Sequence, residues 1–297
     1  MMNRSPQRRT TNPETSQSVQ KSFLDTSVTI KHRIGHPRHK AYLSGAIPEP
    51  LYVNNYVRME FYRALLMGWI HLYFESAHAF HSTFSDALTF CSDRFGREPK
   101  AFLSAVANMI ASGGFAVDSP AEKEVCLHKL EDIIFSVALE FELAYENIGT
   151  DPTKCARLRS PLRVSGTEDR RKTLIEFEAV FSDAKACRAR CTVQNFFQAG
   201  KYAMQMQAVG QISERDGAHP ALKKMTSAVQ KANEDPASAT CFVCEKIGDA
   251  IIAISVPAGW KLHTLDTVHE PICQALGKEV QIHPSAARVK KMDGDSR

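Results

Sequence analysis

The stretch Trp260-Lys261-Leu262-His263-Thr264-Leu265-Asp266 alternates in the manner of a strand and ends on an acid. Around it the element type keeps changing. Cys241 to Val256 has helical spacing, Pro257-Ala258-Gly259 breaks it, Glu270 to Leu276 reads as a short helix and Lys278 to Ile282 as a second strand. Strands separated by helices favour a parallel sheet with right-handed crossovers, so the segment predicts an α/β fold. Near the other end of the chain, Ser22 to Ile30 is short, apolar and β-branched, which predicts a further buried strand of the same sheet. Its carboxyl end presents Asp25, Thr26 and Ser27, at the edge where open α/β sheets bind ligands.

Four carboxylates interrupt apolar segments that belong in a core. Asp25 lies in Ser22-Phe23-Leu24-Asp25-Thr26-Ser27-Val28, and Asp249 in Gly248-Asp249-Ala250-Ile251-Ile252-Ala253. Asp266 closes the strand at 261–266, and Glu60 breaks the run from Tyr56 to Leu66. An unpaired buried carboxylate is strongly unfavourable or must protonate. Several on core elements therefore predict convergence on a cation, and hard oxygen donors point to Mg²⁺ or Mn²⁺.

The intervening chain is helical in pattern. Leu51-Tyr52-Val53 is strand-like, and Asn54 can cap a helix through about Trp69. Helical spacing then covers Leu72 to Phe95, Ala101 to Ala111, Glu122 to Asn147, Leu174 to Ala186, Val193 to Val209 and Leu222 to Ala232, with a polar connection over 151–171. The expected organisation is a basic disordered arm over 1–21, an α/β core from 22–70 and 241–284, a large helical insertion over 71–240, and a tail over 285–297.

With 297 residues, 43% of them hydrophobic, the chain has ample material for a core. No apolar run approaches the ~20 residues that span a bilayer, and the first twenty positions lack a signal-peptide core. A soluble cytoplasmic protein is expected, with its eight scattered cysteines reduced. Net charge is only +4, but residues 1–40 hold eight basic groups against two acids. A basic rim beside an acidic centre suits a polyanion whose phosphates need cationic steering and whose scissile phosphate needs metal. The same charges also read as a solvated basic surface.

The sequence Phe23-Leu24-Asp25-Thr26-Ser27, Glu60 in the following helix, Gly248-Asp249-Ala250-Ile251-Ile252-Ala253 and Leu262-His263-Thr264-Leu265-Asp266 resemble the PIN-domain nucleases in order and local context. The resemblance covers about 22–70 and 241–284. It implies a PIN-like (Rossmann-like) parallel sheet flanked by helices, and an acidic quartet that binds divalent metal and hydrolyses phosphodiesters, usually in RNA. On that footing Asp25, Glu60, Asp249 and Asp266 are the catalytic and metal-binding residues. Thr26, Ser27 and Thr264 are partners of the carboxylates or of the scissile phosphate, and Arg33, Arg38, Lys40 and Arg63 are phosphate contacts. The implied activity is that of an endoribonuclease acting on RNA rather than DNA. A toxin of a toxin–antitoxin pair, with a protein antitoxin or inhibitor as partner, is one form of it, and a homo-oligomer is another open point. The large middle region argues against a minimal toxin. Competing readings are a catalytically inactive PIN-like protein that binds RNA or regulates a partner, and a metal-dependent phosphatase on a related sheet.

Other groups admit plainer readings. Cys187 and Cys191, Cys241 and Cys244, with Cys155, lack a second zinc-ribbon pair and do not predict structural zinc. The aromatic series Tyr56, Tyr62, Trp69, Tyr73, Phe74, Phe80 and Phe84 has helical spacing and predicts packing, with Tyr62 or Tyr73 as the candidates for base stacking. His32, His36 and His39 among basic neighbours are candidates for phosphate, whereas His263 and His269 are assigned to packing or surface. Glu75, Glu140 and Glu142 are expected on solvated helix faces, and Glu245, four before Asp249, as an outer acid or an exposed one.

Overall fold

The computed structural model describes residues 20–94, 108–149 apart from 109, 111 and 115, 169–182, 192–212 apart from 199, and 219–289 apart from 287. The basic arm with Arg4, Arg8 and Arg9, most of 101–111 and 151–168, and Cys155, Cys187 and Cys191 lie outside the described residues.

The chain opens with β1 (Ser22–Leu24), α1 (Thr26–Ile34), α2 (Pro37–Ala46) and β2 (Leu51–Val53). The predicted strand to Ile30 therefore ends at Leu24. Thr26 to Ile30 has β-branched character, but Asp25 caps the backbone instead: its side chain accepts from the N–H groups of Thr26 and Ser27, and Thr29 N–H closes the first turn on Asp25 C=O. Capping decides the element over propensity.

Asn54 caps α3 (Asn55–Phe61) as expected, its side chain accepting from Val57 N–H. The helix then widens into a π turn at Tyr62–Leu66 and continues as α4 (Met67–Ala77). The middle of the chain supplies α5 (Phe84–Arg94), α6 (Lys123–Ala144), the two-residue β3 (Glu146–Asn147), α7 (Arg170–Ser182), α8 (Asn195–Gln198), α9 (Gly200–Gly210) and α10 (Pro220–Glu234). Arg170 and Arg171, expected in the polar connection, thus begin a helix. Near the C-terminus come α11 (Cys241–Lys246), α12 (Gly248–Ser255), β4 (Lys261–Thr264), α13 (His269–Ala275) and β5 (Glu279–Ile282). The helix expected from Cys241 to Val256 is thus two, parted at Ile247.

All pairings are parallel, in the order β3-β2-β1-β4-β5. The fold is α/β, a five-stranded parallel sheet flanked by helices. Its register sets Ser22 against both Leu51 and Lys261, and Leu24 against His263. The edge strand β3 pairs Tyr52 with Glu146, so the helical middle contributes to the sheet itself. One buried apolar cluster joins Phe23 and Leu24 of the central strand to Tyr62 and Trp69, to Phe141 of α6 and to Phe177 of α7. Phe61 and Phe141 meet at a ring-centroid distance of 4.4 Å.

This order locates a site. The β1–β2 connection runs one way along the sheet and β4–β5 the other, and right-handed crossovers put the two connections on opposite faces. The chain therefore parts beyond the carboxyl ends of β1 and β4, the crevice where doubly wound sheets take ligands. Asp25 follows β1 there, and Asp266 follows β4.

Candidate active site

Asp25 is buried and heavily bonded. One oxygen, Oδ1, accepts from Thr26 N–H at 2.6 Å. The other, Oδ2, accepts from Ser27 Oγ at 2.6 Å, Thr264 Oγ1 at 2.9 Å and Ser27 N–H at 3.3 Å. Both hydroxyls are themselves held by the β4 loop: Leu265 N–H donates to Ser27 Oγ at 3.1 Å and Asp266 N–H to Thr264 Oγ1 at 2.9 Å. Each hydroxyl oxygen thus receives a backbone proton and turns its own toward the carboxylate. The clamp ties the loops after β1 and β4 together through Asp25.

Glu60 comes to this point from α3. Its Oε2 accepts from Thr26 Oγ1 at 2.7 Å, so the residue after Asp25 serves the second acid. Opposite Glu60 stands Gly248, the first residue of α12. A Cβ there would lie 2.8 Å from Glu60 Oε1 and 3.0 Å from the Tyr56 hydroxyl, so glycine lets α12 bring Asp249 close without displacing Glu60. Tyr56 donates to Cys244 C=O at 3.0 Å, tying α3 to α11. Asp266 Oδ1 accepts from Val268 N–H at 2.9 Å and turns the chain into α13.

His269 opens α13 with a fully buried ring whose Nε2 lies 3.6 Å from Asp25 Oδ1 and 3.5 Å from Asp249 Oδ1. Neither ring nitrogen has a hydrogen-bond partner. Asp25, Asp249 and Asp266 thus act on a histidine assigned to packing or surface, while Glu60 stands beside Asp25 and Asp249.

The charges respond to one another. Burial alone would raise Asp25, but His269 and the Ser27 and Thr264 hydroxyls outweigh it and hold the carboxyl down at about 2. Burial, aided by the like charges of Asp25 and Asp249 and opposed by Thr26, pushes Glu60 up to about 7. Asp249 is also raised, by burial and by Asp25 and Asp266 against the pull of His269. Burial would lower His269, yet Asp25, Asp249 and Asp266 together carry it up to about 9. Burial and crowding of like charges thus outweigh the cations near Glu60 and Asp249, while at Asp25 the histidine and the hydroxyls prevail.

The expected phosphate contacts are dispersed. Arg63 acts on Glu60 and pairs with Glu245 at 3.0 Å, both side chains 45% exposed. Glu245 is thereby an exposed acid beyond the crevice. Arg33 is bound to Glu140, while Arg38 is exposed and Lys40 half-buried on α2. Tyr62 and Tyr73 are buried and donate to Glu142 and Glu131, which removes both as base-stacking surfaces. Glu142 is thus a partner within the fold. Cys91, Cys126 and Cys273 are buried thiols. Among the described residues no three His, Cys, Asp or Glu side chains stand as a preformed metal cage, and no helix is long and apolar enough to cross a membrane.

Three contributors escaped the sequence reading: His269, Gly248 as a spacer and Tyr56 as a strut. The usable signal for His269 was its place three residues after Asp266, at the start of a helix that must begin inside the crevice. Compared with protein-family models, with curated proteins and with solved structures, the chain matches none.

Proposed function

We propose that the protein is a metal-dependent nuclease of PIN type, cutting RNA internally. The observation that carries this reading is the meeting of Asp25, Glu60, Asp249 and Asp266 at the switch point of a parallel sheet, with Thr264 and Asp25 bonded across 239 sequence positions. The residues fit a divalent ion on chemical grounds. They are hard oxygen donors, and two of them, Glu60 and Asp249, are held toward protonation by burial and by the like charges around them.

A bound Mg²⁺ or Mn²⁺ supplies neutralisation of the phosphodiester charge and acidifies a water for attack. The chain's own part is positioning. Ser27, Thr264 and Thr26 N–H fix both oxygens of Asp25, Thr26 Oγ1 orients Glu60, and Asp249, its side chain 37% exposed, faces the approach from solvent. Asp266 is tied to its own loop through Val268 N–H.

His269 favours a second reading, because an imidazolium between Asp25 and Asp249 satisfies two of the acids without metal, as in a domain that only binds RNA. One experiment separates them. Purified protein incubated with a mixed RNA pool should yield internal fragments with Mn²⁺ or Mg²⁺ and none with EDTA, and Asp249→Asn should abolish cleavage. Cleavage indifferent to EDTA, or intact RNA under every condition, defeats the nuclease reading. Release of terminal phosphate without dependence on oligonucleotide length would establish a phosphatase instead.

A further inference from the structure

We infer that His269 is itself a ligand of the proposed ion, joining Asp25 and Asp249 through Nε2, so that the centre selects Mn²⁺ over Mg²⁺. The inference rests on the metal-dependent reading above and adds a nitrogen donor to a set of oxygens.

The geometry argues against a closed, hydrogen-bonded ion pair. A charge-assisted N–H···O⁻ bond closes to about 2.8 Å, yet Nε2 stands 3.6 Å from Asp25 Oδ1 and 3.5 Å from Asp249 Oδ1. Both gaps are those of loose ion pairs, longer than a well-made hydrogen bond, and the ring is fully buried with neither nitrogen hydrogen-bonded. Such a group normally finds a partner, because a lone buried donor or acceptor carries its full desolvation penalty. The same gaps are within reach of atoms that share an ion. Neighbouring donors about 2.1 Å from a six-coordinate metal lie roughly 3.0 Å apart, so each gap closes by about half an ångström on binding. Asp25 cannot turn away, since Thr26, Ser27 and Thr264 hold it. Asp249 is the more exposed of the two acids and closes the set by rotating its carboxylate. Binding exchanges the Nε2 proton for the ion, the proton leaving to solvent.

The consequence is a choice of metal. Mg²⁺ keeps oxygen ligands and dehydrates reluctantly, whereas imidazole suits later divalent ions, and Mn²⁺ accepts both donor types.

Mn²⁺ bound to the full-length protein, examined by pulsed electron paramagnetic resonance, should show coupling to a directly bonded nitrogen. That coupling should vanish in His269→Gln. Titration should find Mn²⁺ affinity lowered at least ~10-fold by the substitution, with Mg²⁺ affinity unchanged. If wild-type protein binds Mn²⁺ without nitrogen coupling, and His269→Gln binds it equally well, His269 is a counter-ion and an all-oxygen centre stands. If wild-type protein binds neither ion, the inference and the nuclease reading fall together. Should His269→Gln fail to fold, His219→Gln decides: nitrogen coupling that survives it belongs to His269, coupling lost with it belongs to His219 and overturns the inference, and no coupling in wild-type protein excludes His269.

Discussion

Two histidines six residues apart, His263 on β4 and His269 at the start of α13, are both buried, yet their surroundings drive them in opposite directions. Burial lowers His263 to about 4, assisted by its neighbours His283 and Lys261. Its Nδ1 and His283 Nε2 share a hydrogen bond at 3.0 Å, so one ring donates and the other accepts, and neither has room for a second charge. At His269 the same burial is overwhelmed by three acids and the ring rises to about 9. Strand alternation explains the His263 side of the contrast, and the helix that starts at His269 explains the other. Thr264 points to Asp25, and the preceding side chain on β4 therefore points away, toward His283. A residue type read from sequence carries no sign of its charge, because the sheet face assigns it.

The sharpest way to break this comparison is to remove charge from the acidic side. Asp249→Asn should lower RNA cleavage by roughly 10²-fold or more, as expected when a group acting on the transition state is lost. The melting temperature should hold or rise, because Asp249 is a raised, half-crowded acid whose neutralisation relieves Asp25 and Asp266. Unfolding of the variant with full activity in its folded fraction would make Asp249 a structural acid.

Asp25→Ala should act on stability. It strands the Ser27 and Thr264 hydroxyls, two backbone N–H groups and the His269 ring, and losing one partner of a buried charged network costs about 3 kcal/mol. Urea denaturation measures it. A loss below about 1 kcal/mol, the scale of a helix cap alone, would mean that the clamp contributes nothing beyond capping.

On the other face, acid is the probe. An imidazole whose folded value lies below its unfolded 6.5 stabilises the fold only while neutral. Its contribution is complete above pH 6.5 and is lost as pH falls through about 4. At ~1.4 kcal/mol per unit, the shift from 6.5 to about 4 is worth on the order of 3 kcal/mol. His263→Gln should flatten denaturation midpoints across that window, and an unchanged slope would place the acid sensitivity elsewhere.

The smallest effect is expected at Gly248→Ala. The added methyl meets the flexible end of Glu60 first, so the stability change should stay near 1 kcal/mol. Cleavage should fall further than stability, as Glu60 shifts from Thr26. Equal losses in both would assign Gly248 to packing alone.

Much of this was legible in the chain. The parallel sheet followed from the alternation of element types between Cys241 and Ile282, and the four acids stood out because apolar segments do not carry carboxylates for stability. What escaped was local competition and brevity. Thr26 to Ile30 looks like strand by residue type, and only the bonds from Asp25 to the next two N–H groups turn it into helix. Strand β3 is two exposed residues, too short to alternate, and its place is fixed by pairing with β2. His269 was hidden because its neighbours arrive from β1 and α12, far away in sequence.

The clamp around Asp25 also sets an order of events. A growing polypeptide carries Asp25 and Glu60 early, but Thr264 only 239 positions after Asp25, with Asp266 and His269 later still. Until β4 inserts between β1 and β5, the central strand keeps an unpaired edge and Asp25 lacks one of its two hydroxyl donors. Domains fold as units once their parts have emerged, so a nascent chain stopping short of Lys261 holds only fragments of the site. On the nuclease reading proposed above, a chain still being translated would lack the assembled site while it lies beside its own message.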